Sequence, residues 1–140
     1  MTLVERIINP AALSSDIQRP YLIAEAGVNH EGDLDIAYRL IDEAKQGGAD
    51  AIKFQMYNPD QLVTKNAPKA EYAKKNTRLY KTQYDMQKKL MLSFEEHKKL
   101  KNYCDKNGIT YLSTPFSREA SDRLEKIGVS AFKIGSGECN

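Results

Sequence analysis

Three observations on the 140-residue sequence predict an α/β chain with a parallel sheet, half of a (β/α)8 barrel, with an independent open four-stranded α/β domain as the alternative. Short apolar runs alternate with stretches of helical periodicity. Four of the runs, at 21–26, 51–55, 110–114 and 131–134, carry polar groups and lead into loops, as strands do when they share one site at their carboxyl ends. Four strand and helix alternations with right-handed crossovers make half of a barrel that takes ~250 residues.

Residues 1–20 mix the apolar pairs Leu3-Val4 and Ile7-Ile8 with Pro10 and Pro20, and read as a lead-in to a barrel segment covering 21–140. In the first strand, Leu22 and Ala24 share one face and leave Glu25 on the other. The loop Gly27-Val28-Asn29-His30-Glu31-Gly32-Asp33 follows, with two glycines for tight backbone geometry and Asp33 as helix N-cap. Leu34, Ala37, Leu40, Ile41 and Ala44 line one helical face, and Gly47-Gly48 ends the helix. The next strand, Ala51-Ile52-Lys53-Phe54-Gln55, sets Ile52 and Phe54 against Lys53 and Gln55. An unpaired ammonium inside a sheet costs several kcal/mol, so an anionic partner is expected beside Lys53.

Asn58-Pro59-Asp60 is a turn, and the weakly periodic segment after it reads as a long binding loop or lid. Between Gln61 and Lys89, eight Lys and Arg residues stand against Glu71 and Asp85, enough to draw an anion. Order returns at Ser93-Phe94-Glu95-Glu96, a capping box, with Phe94, His97, Leu100 and Cys104 on the inner face and Asn107-Gly108 as the stop. The third strand, from Thr110, runs through Ser113 and Thr114 to Ser117, which caps a helix over 118–127 carrying Ala120, Leu124 and Ile127. The fourth strand, Ala131-Phe132-Lys133-Ile134, opens into Gly135-Ser136-Gly137-Glu138, where two glycines around a serine form a candidate phosphate nest.

Composition narrows the class. At 41% hydrophobic and 29% charged, the chain matches a globular protein, and a net charge of +2 implies no nucleic-acid or membrane partner. Cys104 and Cys139 show neither disulfide nor metal-ligand spacing, which fits a reducing cytoplasm. Residues 1–20 contain no continuous apolar stretch for a signal peptide or membrane span.

Four motifs in order, Ala24 to Gly32, Ile52 to Gln55, Ser113 to Ser117 and Lys133 to Asn140, resemble the N-acetylneuraminate (sialic acid) synthase family from about Tyr21 onward. Ala26 and Glu31 depart from the family pattern, where a bulkier aliphatic and an asparagine are common. The resemblance implies a TIM barrel that condenses phosphoenolpyruvate with N-acetylmannosamine or a related N-acetylated hexosamine, giving a nonulosonic acid and phosphate. It implies that Lys53 and Lys133 clamp phosphoenolpyruvate, with Thr114 and Ser136 donating hydrogen bonds, and that Glu25 acts at the reacting centre. Gln55, Glu138 and Asn76 would hold the sugar.

A divalent metal, commonly manganese, would polarise the aldehyde, with ligands outside this chain. The resemblance further implies a homodimer at full length, and a 140-residue chain that lacks the metal ligands and the family's antifreeze-like domain and is inactive by itself. Two alternatives stand beside this reading. One is a non-catalytic phosphate-binding or interaction module; the other is a phosphoenolpyruvate-dependent synthase of octulosonate or heptulosonate phosphate. Beside both stands a structural reading, in which Glu25 and Lys53 are a buried salt bridge in a barrel that binds nothing. The basic, tyrosine-bearing segment also matches the composition of single-strand nucleic-acid binders, without a recognised fold around it.

Overall fold

The computed structural model describes residues 3–4, 20–69, 71 and 80–139. Their elements run β1 (Ile23–Gly27), α1 (Leu34–Gln46), β2 (Ala51–Met56), α2 (Pro59–Leu62), α3 (Gln83–Leu90), α4 (Phe94–Asn107), β3 (Thr110–Pro115) and α5 (Arg118–Lys126), then a single 3₁₀ turn, Ser136–Glu138. The strands form one parallel sheet in the order β1-β2-β3. Each crossover between neighbours contains helix, as parallel pairing demands.

Local chemistry sets most helix ends. Asp33 accepts from the N–H groups of Asp35 and Ile36 at 2.8 and 3.1 Å, so α1 starts where its first orphan donors find a carboxylate. Ser93 and Glu96 satisfy each other's backbone N–H at 3.3 and 2.7 Å, the reciprocal box that opens α4. Gly108 ends α4 at φ 64°, a left-handed conformation that a side chain would strain. Ser117 accepts from Ala120 N–H at 3.1 Å and starts α5.

The core lies between the sheet and the helices. Ile52, Phe54 and Met56 of β2 and Tyr111 of β3 meet Ala37 and Ile41 of α1, Leu100 and Cys104 of α4, and Ala120 and Leu124 of α5. Each large side chain buried there contributes roughly 1.5–3 kcal/mol against leaving it in water. Lys53 and Gln55, two apart on β2, fall on the face turned away from this core.

Two expectations are corrected. Residues 131–134 form no strand: the Lys133 N–H reaches the Ser113 carbonyl at only 3.5 Å, and Phe132 and Ile134 are 45% and 57% exposed. With so little apolar burial to hold it, this edge segment lies along β3 without a ladder. The basic segment, read as a loop, contains helix α3, begun by a capping box in which Thr82 accepts from Asp85 N–H at 3.1 Å. Asn76 and most of the lead-in fall outside the described residues.

Candidate functional site

The register of the sheet builds the site. Glu25 on β1 lies opposite Lys53 on β2, and Lys53 opposite Leu112 on β3. Parallel strands in this register point Glu25 and Lys53 to the same face, and their side chains form an ion pair. The lysine side chain is 15% exposed and the glutamate 52%, so the cation is enclosed while its partner stays open to water. A pair open on one side is worth roughly 0–1 kcal/mol, which makes it a weak fastening.

One step further along, Gln55 pairs in register with Thr114, which is 4% exposed. Gly135 packs against this position: a Cβ on it would stand 3.6 Å from Thr114 Cγ2 and 3.5 Å from Phe116. The turn Ser136–Glu138 therefore sits at the carboxyl end of β3, with Ser136 and Glu138 exposed. Its form differs from a nest of left-handed glycines. Neither Gly135 nor Gly137 has a positive φ, and the Glu138 N–H is bonded to the Gly135 carbonyl at 3.0 Å.

The structure thus gathers Glu25, Lys53, Gln55 and Thr114 on adjoining strand ends and sets the turn bearing Ser136 and Glu138 against Thr114. Lys133 is exposed, and its ammonium donates to the neighbouring Ile134 carbonyl at 2.7 Å.

The β1–α1 loop contributes more than was legible in the sequence. Between Glu25 and Gly27 the β1–β2 register shifts, since Gly27 rather than Ala26 faces Phe54, and Gly27 has φ 53°. This bulge turns Gly27 toward the site: a Cβ there would lie 3.3 Å from Glu25 Oε1 and 3.6 Å from Gln55 Nε2. Two of the loop's residues meet other parts of the fold. His30, 1% exposed, accepts from the Gly32 N–H at 3.0 Å and tilts over Phe54 at 6.1 Å between ring centroids. Gly32, at φ 77°, leaves room for the Lys89 carbonyl of α3, which an added Cβ would approach to 2.2 Å.

Helix α3 brings part of the basic run to this loop. Tyr57 donates to the Gln87 carbonyl at 3.1 Å and Tyr84 to Asp60 at 2.8 Å, fastening α3 to β2's exit and to α2. Lys88 lies 5.6 Å from the centre of the Tyr84 ring. The signal for α3 was present as Thr82-x-x-Asp85, at capping-box spacing.

Beneath the sheet, burial holds two histidines neutral. His97 Nδ1 and the Tyr111 hydroxyl are 2.7 Å apart, and burial, with His30 nearby, lowers His97 to about 4 although Glu96 opposes this. Burial also lowers His30, against the pull of Glu96 and the Gly27 backbone. His97 and Cys104 are core residues, as their helical positions predicted. Among the described residues no group of three His, Cys, Asp or Glu is placed to hold a metal, so the donors here do not fit one. None of the described helices is long and apolar enough to cross a membrane.

The fold and site define an α/β protein with a parallel sheet that gathers an ion pair, an amide and a hydroxyl at its strand ends, the place where open α/β sheets take ligands. The comparisons give that class its family. The NeuB family model matches residues 40–140, and the chain belongs to that family. It is 48% identical over 118 residues to the N,N'-diacetyllegionaminic acid synthase of Legionella pneumophila, covering 84% of this chain and 33% of that protein. It is 34% identical over 120 residues to the human N-acetylneuraminate-9-phosphate synthase, covering 86% and 33%. Among solved structures it resembles the N-acetylneuraminic acid synthetase of Leptospira borgpetersenii, crystallised in complex with citrate. The TM-score is 0.66 at 36% identity, over 84% of this chain and 36% of that one. The chain spans about a third of the length of these relatives.

Proposed function

We propose that the chain carries the phosphoenolpyruvate side of a nonulosonic acid synthase active site, on the first strands of a (β/α)8 barrel. The observation that carries this is the Glu25/Lys53 pair, an enclosed ammonium at a strand end whose carboxylate partner is half in water. Helices packed against one face of the sheet, with the polar strand ends on the other, are in keeping with a barrel wall.

In this reading Lys53 and Lys133 bind the phosphate and carboxylate of phosphoenolpyruvate, and Thr114 and Ser136 donate hydrogen bonds to them. Charge-assisted contacts of this kind suit a substrate with up to three negative charges. Gln55, Glu138 and Asn76 orient an N-acetylated hexosamine whose open-chain aldehyde faces carbon 3 of phosphoenolpyruvate. A bond forms between carbon 3 and the aldehyde carbon, water adds at carbon 2, and cleavage of the carbon 2 to oxygen bond releases phosphate. Glu25 orients that water or takes its proton. A divalent metal such as manganese, which would polarise the sugar aldehyde, would find its ligands outside the described residues. The family likeness and the citrate complex of the Leptospira relative support an anion site in this class of protein. A cytoplasmic homodimer is the expected setting.

Calorimetric titration of phosphoenolpyruvate into the chain tests the reading, with Lys53→Ala as the control. Saturable binding that weakens at least tenfold in the variant, roughly 1.4 kcal/mol, is the expected result. Binding unaffected by the substitution refutes the role given to Lys53. A folded chain with no measurable binding rejects the proposal that this part of the protein holds phosphoenolpyruvate.

A further inference from the structure

The β1–α1 loop is held by a side chain that touches none of the proposed substrate-binding groups. His30 is 1% exposed, and its Nδ1 accepts from the Gly32 N–H at 3.0 Å. An imidazole nitrogen that accepts carries no proton, so the neutral ring bears its hydrogen on Nε2. The loop is otherwise a run of tight turns: Asn29 N–H to the Ala26 carbonyl at 2.9 Å, Glu31 N–H to Val28 at 3.0 Å, and Asp33 N–H to His30 at 2.8 Å. Glu31 has φ 55°, and Gly27 and Gly32 lie at φ 53° and 77°. Glycine takes this conformation freely, so only Glu31 carries a cost, and the buried ring bonds the residue that follows it, Gly32.

What the ring supports reaches the site. Gly27 follows the bulge that breaks the register after Glu25, and the place its Cβ would occupy is 3.3 Å from Glu25 Oε1 and 3.6 Å from Gln55 Nε2. Both side chains thus lie close beside Gly27, and a shift of Gly27 changes the space open to them. The ring itself lies over Phe54, the residue paired with Gly27.

We infer that His30 is a positioning residue for the strand-end site: its unprotonated Nδ1 holds the Gly32 N–H, and through the loop it sets Gly27 and hence Glu25 and Gln55. A second proton on the ring would point at the Gly32 N–H, replacing a hydrogen bond with two opposed donors and releasing the loop. The titratable groups that face His30 are Glu96 and His97, both from α4; the Gly27 backbone and Phe54 complete its surroundings. Burial disfavours the charged ring, so the loop stays closed at neutral pH and opens only below the ordinary histidine range.

The inference rests on the reading of Glu25 and Gln55 as site residues, and its test is separable from that reading. Side-chain nitrogen NMR on the chain reports the His30 tautomer, and the Gln55 side-chain amide reports the site without any ligand. In the unaltered chain, the Gly32 backbone amide and the Gln55 side-chain amide are expected to shift together as His30 Nδ1 gains its proton below pH ~6.5. His30→Asn, whose side-chain oxygen can accept from Gly32, is expected to keep the Gln55 signal near its original position, while His30→Leu displaces it and leaves β2 and β3 backbone signals in place. A Gln55 signal that ignores both the titration and His30→Leu overturns the inference. If His30→Leu does not fold, the titration of the unaltered chain decides alone. Phosphoenolpyruvate titration on the same samples separates the two ideas. Absence of binding rejects the substrate reading and leaves the His30 result standing, whereas binding with an unmoved Gln55 rejects His30 as the positioner.

Discussion

Glu25 and Lys53 are register partners on neighbouring parallel strands, and their ion pair encloses the cation while leaving the carboxylate half in water. The two ends of the pair are therefore not equivalent. Lys53 is held by β2 and by burial of its stem, whereas Glu25 gives up little when it moves into solvent. In the proposed site, Glu25 occupies the ammonium until an anion arrives.

Competition of this kind fixes a sign. Glu25→Gln removes the internal anion, so phosphate or phosphoenolpyruvate is expected to bind several-fold more tightly, within the roughly 1 kcal/mol that a half-exposed pair can contribute. Turnover of the full-length protein, where Glu25 is assigned a proton or water to manage, is expected to fall with the same substitution. Calorimetry reads the first effect and phosphate release the second. Weaker binding in Glu25→Gln would show that the carboxylate helps to build the anion site.

Gly32 and Gly48 offer a matched pair of substitutions. Both have left-handed φ, 77° and 80°, but a Cβ on Gly32 would meet the Lys89 carbonyl at 2.2 Å while one on Gly48 meets nothing within 4 Å. Gly48→Ala is expected to cost about 1–2 kcal/mol for the backbone conformation alone. Gly32→Ala adds the displacement of α3, bringing the loss to roughly 2–5 kcal/mol. Urea denaturation distinguishes them, and equal losses would mean that α3 is not seated on this loop.

Stability should fall on mild acidification. His97, lowered to about 4, and His30, lowered in the same direction, are neutral in the folded chain at a pH where the unfolded chain already binds protons. The unfolded state therefore gains from each proton as pH drops below about 6.5, and stability declines until the folded-state values are reached. The decline is at most about 1.4 kcal/mol per pH unit for each histidine. Urea midpoints at pH 7.5 and 5.5 measure it, the interval lying above the main carboxylate range. His97→Gln is expected to flatten the slope, and a slope unchanged by that substitution would leave His97 out of the effect.

The two thiols should differ sharply. Cys104 is buried under the sheet, and burial raises its thiol to about 12, whereas Cys139 is exposed beside the Ser136–Glu138 turn. Iodoacetamide is expected to label one cysteine in the native chain and two after denaturation, counted by mass spectrometry. Rapid labelling of Cys104 under native conditions would mean that α4 opens from the sheet.

Alternating apolar and polar residues, the N-cap at Asp33, the capping box at Ser93, and Gly108 after Asn107 were sufficient to place β1, β2, β3, α1, α4 and α5. Each signal acts within about four residues, through a cap or a repeat of side-chain direction, so the linear order contains it. The facing of Lys53 and Gln55 away from Ile52 and Phe54 followed from the same alternation.

Tertiary structure decided what depends on partners distant in the chain. Whether Glu25 would meet Lys53 turned on a parallel register, and the bulge after it, which brings Gly27 against both Glu25 and Gln55, is a property of two strands together. Residues 131–134 have a strand's alternation but not its ladder, because hydrogen bonding and burial at a sheet edge come from neighbours rather than from the segment itself. Helix α3 was hidden by its own lysines, which obscured a stripe of which only Met86 is buried; packing against α2 and the β1–α1 loop supplies what its periodicity does not announce. Local hydrogen bonding and side-chain direction determined the elements, and long-range register and packing determined the site.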